Sequence, residues 1–344
     1  MNKKKIAVLG GSFDPIHKGH LQIAKQAVAM GMDEVWFMPT YDTPLKDRNL
    51  THSTHRLEMI KRAIAPYRRF HCCCIEIERE GKSYTIDTVR TLKREYPDAD
   101  FYWLIGSDQA NQMDAWKEPK ELTSLVQFIV FSRRGAQQES PYPLLYQPME
   151  LVDVSSSEIR AGKKWNYLVP GVRRYIAEHS LYLESFVEGH LSKKRYEHCV
   201  RVAQLAQELA AAHHYDERIA WQIGMLHDLC KEMKKEDLYV WMKLYFPHLC
   251  EEAPAVWHGY VGSILVKRLY GIHDSRVLNA IYHHVKGESS NPYAMIIFCA
   301  DKLERGRNYD TSEQIALCKE SLKAGFERVH REQSAYLKKE KAVQ

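Results

Sequence analysis

The residues best suited to chemistry at phosphorus lie in one short run near the amino terminus, Gly10-Gly11-Ser12-Phe13-Asp14-Pro15-Ile16-His17-Lys18-Gly19-His20. Glycines at 10, 11 and 19 let the main chain come close to an anion, and Pro15 stiffens the loop between them. His17 and His20 are three positions apart, so at the start of a helix both imidazoles can face one ligand. A strand ending at the glycines and a helix starting near His17 would aim unpaired amides at the same point, where phosphate is favoured. The arrangement suits a triphosphate. Neither GxxxxGK[ST] nor GxGxxG is present, which argues against a P-loop NTPase and a typical dinucleotide-binding dehydrogenase. What remains is nucleotidyl transfer. A substrate phosphate attacks the α-phosphorus of ATP, and the protein has only to position the reactants and stabilise charge on the pentacoordinate phosphorus and the departing pyrophosphate.

A second set of donors occupies the other half. His198, the dipeptide His227-Asp228 and Asp301 follow one another on segments that read as separate helices, with His258 and His284 between them. Imidazoles and carboxylates gathered from several helices make a divalent-metal pocket, better suited to iron, manganese or zinc than to calcium. Asp228 has two oxygens and can bridge two ions, with His258 and His284 completing the second. A metal pair lowers the pKa of bound water and clamps the attacking and leaving oxygens of a phosphoester. Spacing does not separate His283 from His284 as the ligand.

The elements that must position these groups change character midway. In the first half, Ile6–Leu9, Val35–Met38, Cys73–Ile77, Phe101–Ile105, Val126–Phe131 and Leu151–Val154 read as strands. Between them 19–30, 54–65 and 85–96 carry apolar residues at helical spacing, so the expectation is repeated βαβ and a Rossmann-like α/β domain with a parallel sheet. Ser155 with Glu158 is a capping-box pattern opening another helix, and a last one is expected at about 172–179. After about residue 186 the strand signal ends. Helices are expected at 196–213, 219–231, 235–245, 258–270, 275–282, 293–303 and 312–337, an all-α domain. Six of the 17 histidines precede residue 186, so imidazole is concentrated in the helical half. The boundary is placed at residues 186 and 187.

Length and composition agree with two cores. The 344 residues are 45% hydrophobic and 27% charged, which excludes disordered and collagen-like classes. No apolar run approaches the 18 or so residues a bilayer span needs. Lys3 to Lys5 are followed only by Ile6–Leu9 before Gly10, which makes export improbable as a reading of the start. Eight cysteines without CxxC fit reduced thiols in a cytoplasmic protein, and a net charge of +5 without a basic motif does not call for nucleic acid.

With these motifs in view, residues 4 to 184 resemble the bacterial nicotinate-nucleotide adenylyltransferases, within the nucleotidylyltransferase superfamily marked by HxGH. The resemblance also rests on Ser83-Tyr84-Thr85-Ile86-Asp87-Thr88, Ile105-Gly106-Ser107-Asp108, Trp116-Lys117, Phe131-Ser132-Arg133-Arg134-Gly135 and Val154-Ser155-Ser156-Ser157-Glu158-Ile159-Arg160. It implies ATP with Mg²⁺ and nicotinate mononucleotide as substrates. It implies nucleotide contacts from Gly10, Gly11, Ser12, Phe13, Gly106, Asp108, Arg133, Ser155 and Ser156. Thr85 and Trp116 would meet the pyridine carboxylate and ring, and Lys46 and Arg160 would hold phosphates. Two departures are Ser157, where threonine is frequent, and Arg134, where proline is commoner.

The helical half is similar to the HD phosphohydrolase superfamily over about residues 190 to 335. The likeness is carried by Leu226-His227-Asp228-Leu229-Cys230-Lys231, Trp257-His258-Gly259, Ala280-Ile281-Tyr282-His283-His284 and Ala300-Asp301-Lys302-Leu303-Glu304. Within it, the branch that splits diadenosine tetraphosphate symmetrically into two ADP is the one resembled. That implies a pair of iron or manganese ions on His198, His227, Asp228, His258, His284 and Asp301, with Lys231 and Arg307 facing substrate phosphates. The expectation is a bifunctional cytoplasmic enzyme acting on small nucleotides, without membrane or nucleic acid and with homo-oligomerisation left open. The alternatives are another acceptor, nicotinamide mononucleotide or pantetheine phosphate, and a helical half that cleaves other nucleotides or senses them without turnover.

Overall fold

The computed structural model describes residues 3–41, 50–132, 140–150 and 152–343, with side chains to residue 339. It divides into two compact units, Met1–Ile159 with Asn166–Tyr175, and Arg160–Trp165 with Ile176–Gln344. Among the described residues no helix is long and apolar enough to cross a membrane.

Among the described residues six strands build the first unit: β1 Lys4–Gly11, β2 Glu34–Pro39, β3 Phe70–Cys72, β4 Ala99–Gly106, β5 Gln127–Ser132 and β6 Leu144–Pro148. All pair in parallel, in the order β3-β2-β1-β4-β5-β6. Ile6 to Leu9 are buried without alternation, as a central strand covered on both faces requires. The chain moves outward from β1 to β3 and then restarts on the other side at β4, so the order in which strands are added reverses between β1 and β4. Leu9 lies opposite Leu104, which brings Gly10 and Gly11 beside the end of β4 at Gly106. In parallel sheets ligands collect at such a reversal, outside the carboxyl ends of the strands.

Helices α1 Lys18–Ala29, α2 Ser53–Ile64, α3 Ile75–Arg79, α4 Thr85–Glu95, α5 Ser107–Ala110, α6 Pro119–Leu125, α7 Ser156–Arg160 and α8 Pro170–Glu178 accompany the strands. On α4, Ile86, Val89 and Leu92 recur every third position and are buried in one cluster with Val8, Trp103 and Phe128. The helix expected from Ser155 and Glu158 forms, with Ser155 N–H and Oγ each 2.9 Å from Glu158 Oε2.

Two expected strands are corrected. The run 73–77 is not a strand: β3 stops at Cys72, and α3 begins at Ile75 because Glu76 turns inward to meet Thr88 Oγ1 at 2.8 Å. The sixth strand is 144–148 instead of 151–154. Residue 151 lies outside the described residues, and Val152 donates its amide to Gln22 Oε1 of α1, not to a strand.

The second unit is helical: α9 Leu183–Glu188, α10 Lys193–Ala212, α11 Glu217–Leu226, α12 Lys235–Tyr245, α13 Pro254–Leu269, α14 Ser275–His283, α15 Pro292–Leu303, α16 Ser312–Glu320 and α17 Leu322–Val343. Ser192, Asp216, Asp274 and Asn291 cap α10, α11, α14 and α15 by accepting from amides of the first turn. Helix α11 lies directly against α10 at Gly224, where any Cβ would stand 2.4 Å from Ala203 Cα. Helix α15 packs on α10, α11, α14 and α17 and so brings its carboxyl end into the middle of the bundle.

Here too two expectations change. The helix expected over 219–231 ends at Leu226. The ring of His227 explains why: its Nδ1 lies 2.7 Å from Gly224 O, the carbonyl a continuing helix would offer to the Asp228 amide. The single helix expected over 312–337 is two, broken at Ser321, which is extended at φ −145°.

Candidate active sites

The glycine-rich turn is rigid because its side chains bury themselves in the unit beneath it. Phe13, at φ +48°, is buried and packs on Phe37 with ring centroids 5.8 Å apart. What Phe13 can offer a ligand is therefore main chain. Asp14 Oδ2 accepts from Thr51 N–H at 3.4 Å, and Ser156 Oγ donates to Pro15 O at 2.9 Å. Below the turn runs Arg56 of α2, 1% exposed, a residue the sequence reading passed over. Its guanidinium donates to Ser12 O at 2.9 Å, Thr40 O at 2.8 Å and Thr51 O at 2.8 Å, tying the ends of β1 and β2 to the start of α2. Arg56→Met should strand these carbonyls and destabilise the first unit by about 3 kcal/mol. Hydrogen exchange would show it as lost protection in β1 and α2 with α10 to α15 unchanged.

His17 is the N-cap of α1 and His20 sits one turn in; their rings stack with centroids 3.8 Å apart. Gly19 permits this, since a Cβ there would stand 3.0 Å from His17 Nδ1 and 3.2 Å from Val154 Cγ1. His20 Nδ1 accepts from His17 N–H at 3.2 Å, so the hydrogen of its neutral ring is on Nε2. His17 Nδ1 is buried with no hydrogen-bond partner among the described residues. Burial pushes the His17 pKa down to about 4, against a smaller opposing pull from Glu158. The ring is neutral at neutral pH. Its contribution to folding is complete above about pH 6.5 and is lost as pH falls toward 4, by about 3 kcal/mol at pH 4. NMR titration of the ligand-free protein should put the His17 midpoint near 4, and a value above 6 would contradict this burial.

Gly106 ends β4 and Asp108 lies just inside α5, close enough that a Cβ on Gly106 would meet Asp108 Oδ1 at 2.6 Å. Thr85 is the first residue of α4, and Trp116 is half-buried with its ring edge-on to Phe128 at 6.0 Å. Ser155 is engaged in its cap with Glu158, and Arg160 is the last residue of the one-turn α7, not at its start. Lys46 and Arg133 lie outside the described residues.

In the second unit the expected donors do converge. Asp228 is 3% exposed, and its two oxygens look in different directions. Toward Oδ2 stand His198 Nε2 at 3.8 Å and His227 Nε2 at 3.6 Å; these same nitrogens lie 3.1 and 3.7 Å from Asp301 Oδ1. Toward Oδ1 stand His258 Nε2 at 3.2 Å and His284 Nε2 at 3.5 Å. The rings are held from behind. His227 Nδ1 and His284 Nδ1 each reach a carbonyl at 2.7 Å, Gly224 O and Ile281 O, and His198 Nδ1 reaches Glu304 Oε1 at 3.3 Å. A carbonyl or carboxylate only accepts, so Nδ1 carries a hydrogen and Nε2 is the ring nitrogen that faces the aspartates. His283, beside His284, is half-buried and on neither side of Asp228.

The electrostatics follow from crowding. Burial alone would raise the Asp228 pKa, but the imidazoles of His227, His258 and His284 hold it well below the usual range. Burial takes His284 down to about 4, so that ring is a neutral donor. Among the described residues His227 Nε2 is buried without a hydrogen-bond partner. Two carboxylates and four imidazole nitrogens meeting around an orphaned buried nitrogen fit a transition-metal ion, and His198, His227 and Asp301, and His227, Asp228 and His284, each present donor atoms within 4.8 Å of one another.

The cations are closer than the sequence suggested. Arg195 Nη1 is 2.7 Å from Asp228 Oδ2, Lys302 Nζ 2.6 Å from Asp301 Oδ2, Arg307 Nη2 3.4 Å from Asp301 Oδ1, and Lys231 Nζ 3.4 Å from His258 Nε2. Arg195 and Glu304 were missed, although each stands three positions along the helix from a donor, at His198 and Asp301.

Residues 8–162 match the family model described as cytidylyltransferase-like, and residues 195–306 match the HD domain. A Mycoplasma pneumoniae protein named probable nicotinate-nucleotide adenylyltransferase/Ap4A hydrolase is 31% identical over 93% of this chain and 96% of its own. One from Shouchella clausii, named probable nicotinate-nucleotide adenylyltransferase, is 46% identical over 52% of this chain and 97% of its own. A Plasmodium falciparum nicotinic acid mononucleotide adenylyltransferase solved with NaAD aligns at TM-score 0.44 and 24% identity, over 52% of this chain and 97% of that one.

Proposed function

The chain belongs to the nicotinate-nucleotide adenylyltransferase/Ap4A hydrolase family, and on that premise we propose a cytoplasmic enzyme with two activities, adenylyl transfer in residues 1–186 and phosphoanhydride hydrolysis in residues 187–344. This division is one of chemistry, and packing units need not follow it.

In the first activity the phosphate of nicotinate mononucleotide attacks the α-phosphorus of ATP, supplied with Mg²⁺. Deamido-NAD forms and pyrophosphate leaves. The observation that carries this is the stacked His17 and His20 pair at the end of β1. A neutral His17 costs less to hold buried than an imidazolium, its unpartnered nitrogen can answer the negative charge that grows on the transferring phosphate, and His20 contributes its Nε2 hydrogen to the same charge. The amides of Gly10, Gly11, Ser12 and Phe13 line the phosphate side. Gly106 gives room, Asp108 accepts from ribose, and Thr85 and Trp116 take the pyridine carboxylate and ring. Ser155, Ser156, Arg160, Lys46 and Arg133 complete the nucleotide contacts. The assay is pyrophosphate release from ATP with nicotinate mononucleotide; no release, or release at the same rate without acceptor, overturns the reading.

In the second, His198, His227, Asp228 and Asp301 would hold one divalent ion, and His258, His284 and the other oxygen of Asp228 a second, iron or manganese by the mixture of donors. When bound, such a pair supplies Lewis acidity toward phosphoryl oxygens and lowers the pKa of water. Lys231, Arg195 and Arg307 meet the polyphosphate, and Asp228 and Asp301 offer the ions anionic oxygens between the rings. The two-sided surroundings of Asp228 carry this reading. Diadenosine tetraphosphate should give ADP as the sole nucleotide product, whereas ATP plus AMP would refute symmetrical cleavage.

A further inference from the structure

Three of the four imidazoles around Asp228 are fixed through Nδ1, but only one of them by a side chain. His227 and His284 each use a main-chain carbonyl from the preceding turn of their own segment. His198 instead uses Glu304, 106 residues away in sequence. Glu304 is 2% exposed and heavily tied: Oε2 accepts from Arg201 Nε and from Gly306 N–H, both at 2.6 Å, and Arg307 Nε lies 3.8 Å from Oε1. Gly306 leaves room for that approach: a Cβ at 306 would stand 2.5 Å from Arg201 Nε and push the guanidinium aside. With Oε2 spoken for, Oε1 is left aimed at His198.

We propose that Glu304 is a positioning residue for the first ion. It fixes the ring and hydrogen placement of His198, so losing its carboxylate weakens the ion on the His198 side and spares the one on the His258 and His284 side. The inference rests on the metal reading above. Its chemical basis is general: a carboxylate behind a ligating imidazole raises ligand basicity and removes rotational freedom, and its loss usually costs 10- to 100-fold in metal affinity.

The test is Mn²⁺ titration of the full chain, followed by calorimetry and by the EPR signal of unbound Mn²⁺. The wild type should take two ions. Glu304→Ala should weaken one of them about 10-fold or more and leave the other unchanged, matching His198→Ala and not His284→Ala. Added to His198→Ala, the Glu304 change should have no further effect on affinity, which a general loss of packing would not reproduce. Glu304→Gln, which keeps an acceptor for Nδ1–H, should fall between wild type and alanine, and it replaces the alanine variant if that one does not fold. Two ions retained at wild-type affinity in Glu304→Ala, or both weakened alike, would overturn this proposal alone. A wild type that takes up no ion would overturn the metal reading with it.

Discussion

Asp228→Asn should lower the hydrolysis of diadenosine tetraphosphate by at least about 1,000-fold while leaving pyrophosphate release from ATP and nicotinate mononucleotide at the wild-type rate. Asparagine keeps the size and one oxygen but loses the charge that faces His227, His258 and His284, and its NH₂ turns a donor toward a nitrogen lone pair. Either side of the centre then loses a ligand, whichever way the amide is placed. Asp228→Ala should behave the same in rate but fold less well, because Arg195 and four rings are left around a gap. Metal content measured beside activity separates the two causes. Substantial hydrolysis by a metal-free Asp228→Asn protein would end the reading of the helical half.

His17→Ala should have the opposite pattern, lowering kcat for adenylyl transfer by about 100- to 1,000-fold and leaving hydrolysis intact. The size follows from removing one preorganised donor from a charge that appears only in the transition state, so KM for ATP should change much less than kcat. Among the described residues Nδ1 is buried without a partner, so on the proposed reading it is free to bond when nucleotide binds. His20→Ala should lose less folding stability than His17→Ala, since His20 is the more exposed ring. If kcat stays within threefold of wild type in His17→Ala, the stacked pair is an N-terminal cap and nothing more.

How much of this was legible in the sequence depends on how far apart the interacting residues lie. The glycine turn and its two histidines fall within eleven residues, so spacing alone described them, and β1, β2, β4 and β5 announced themselves as buried runs. The edge strands did not. β3 has three residues and pairs only with β2, and β6 carries Leu145 at 49% exposure, so neither shows the buried pattern that marks a central strand. The aspartates and histidines that converge in the helical half were recognisable from order along the chain. Their supports were hidden, because the pairs Arg201 with Glu304 and His198 with Glu304 join residues more than 100 positions apart. Arg56 was invisible for the opposite reason: a basic residue on an amphipathic helix reads as surface, and the main-chain carbonyls it meets come from segments that sequence order does not bring together.

The contact at Gly224 limits anyone who would retune the helical half. With main chain pressed on main chain at Ala203, the gap between α10 and α11 is a fixed dimension, with no side-chain cushion that a substitution could thin or thicken. Redesign of the cluster for a different cation will have to exchange the donors themselves, since the frame that spaces them has no slack to give.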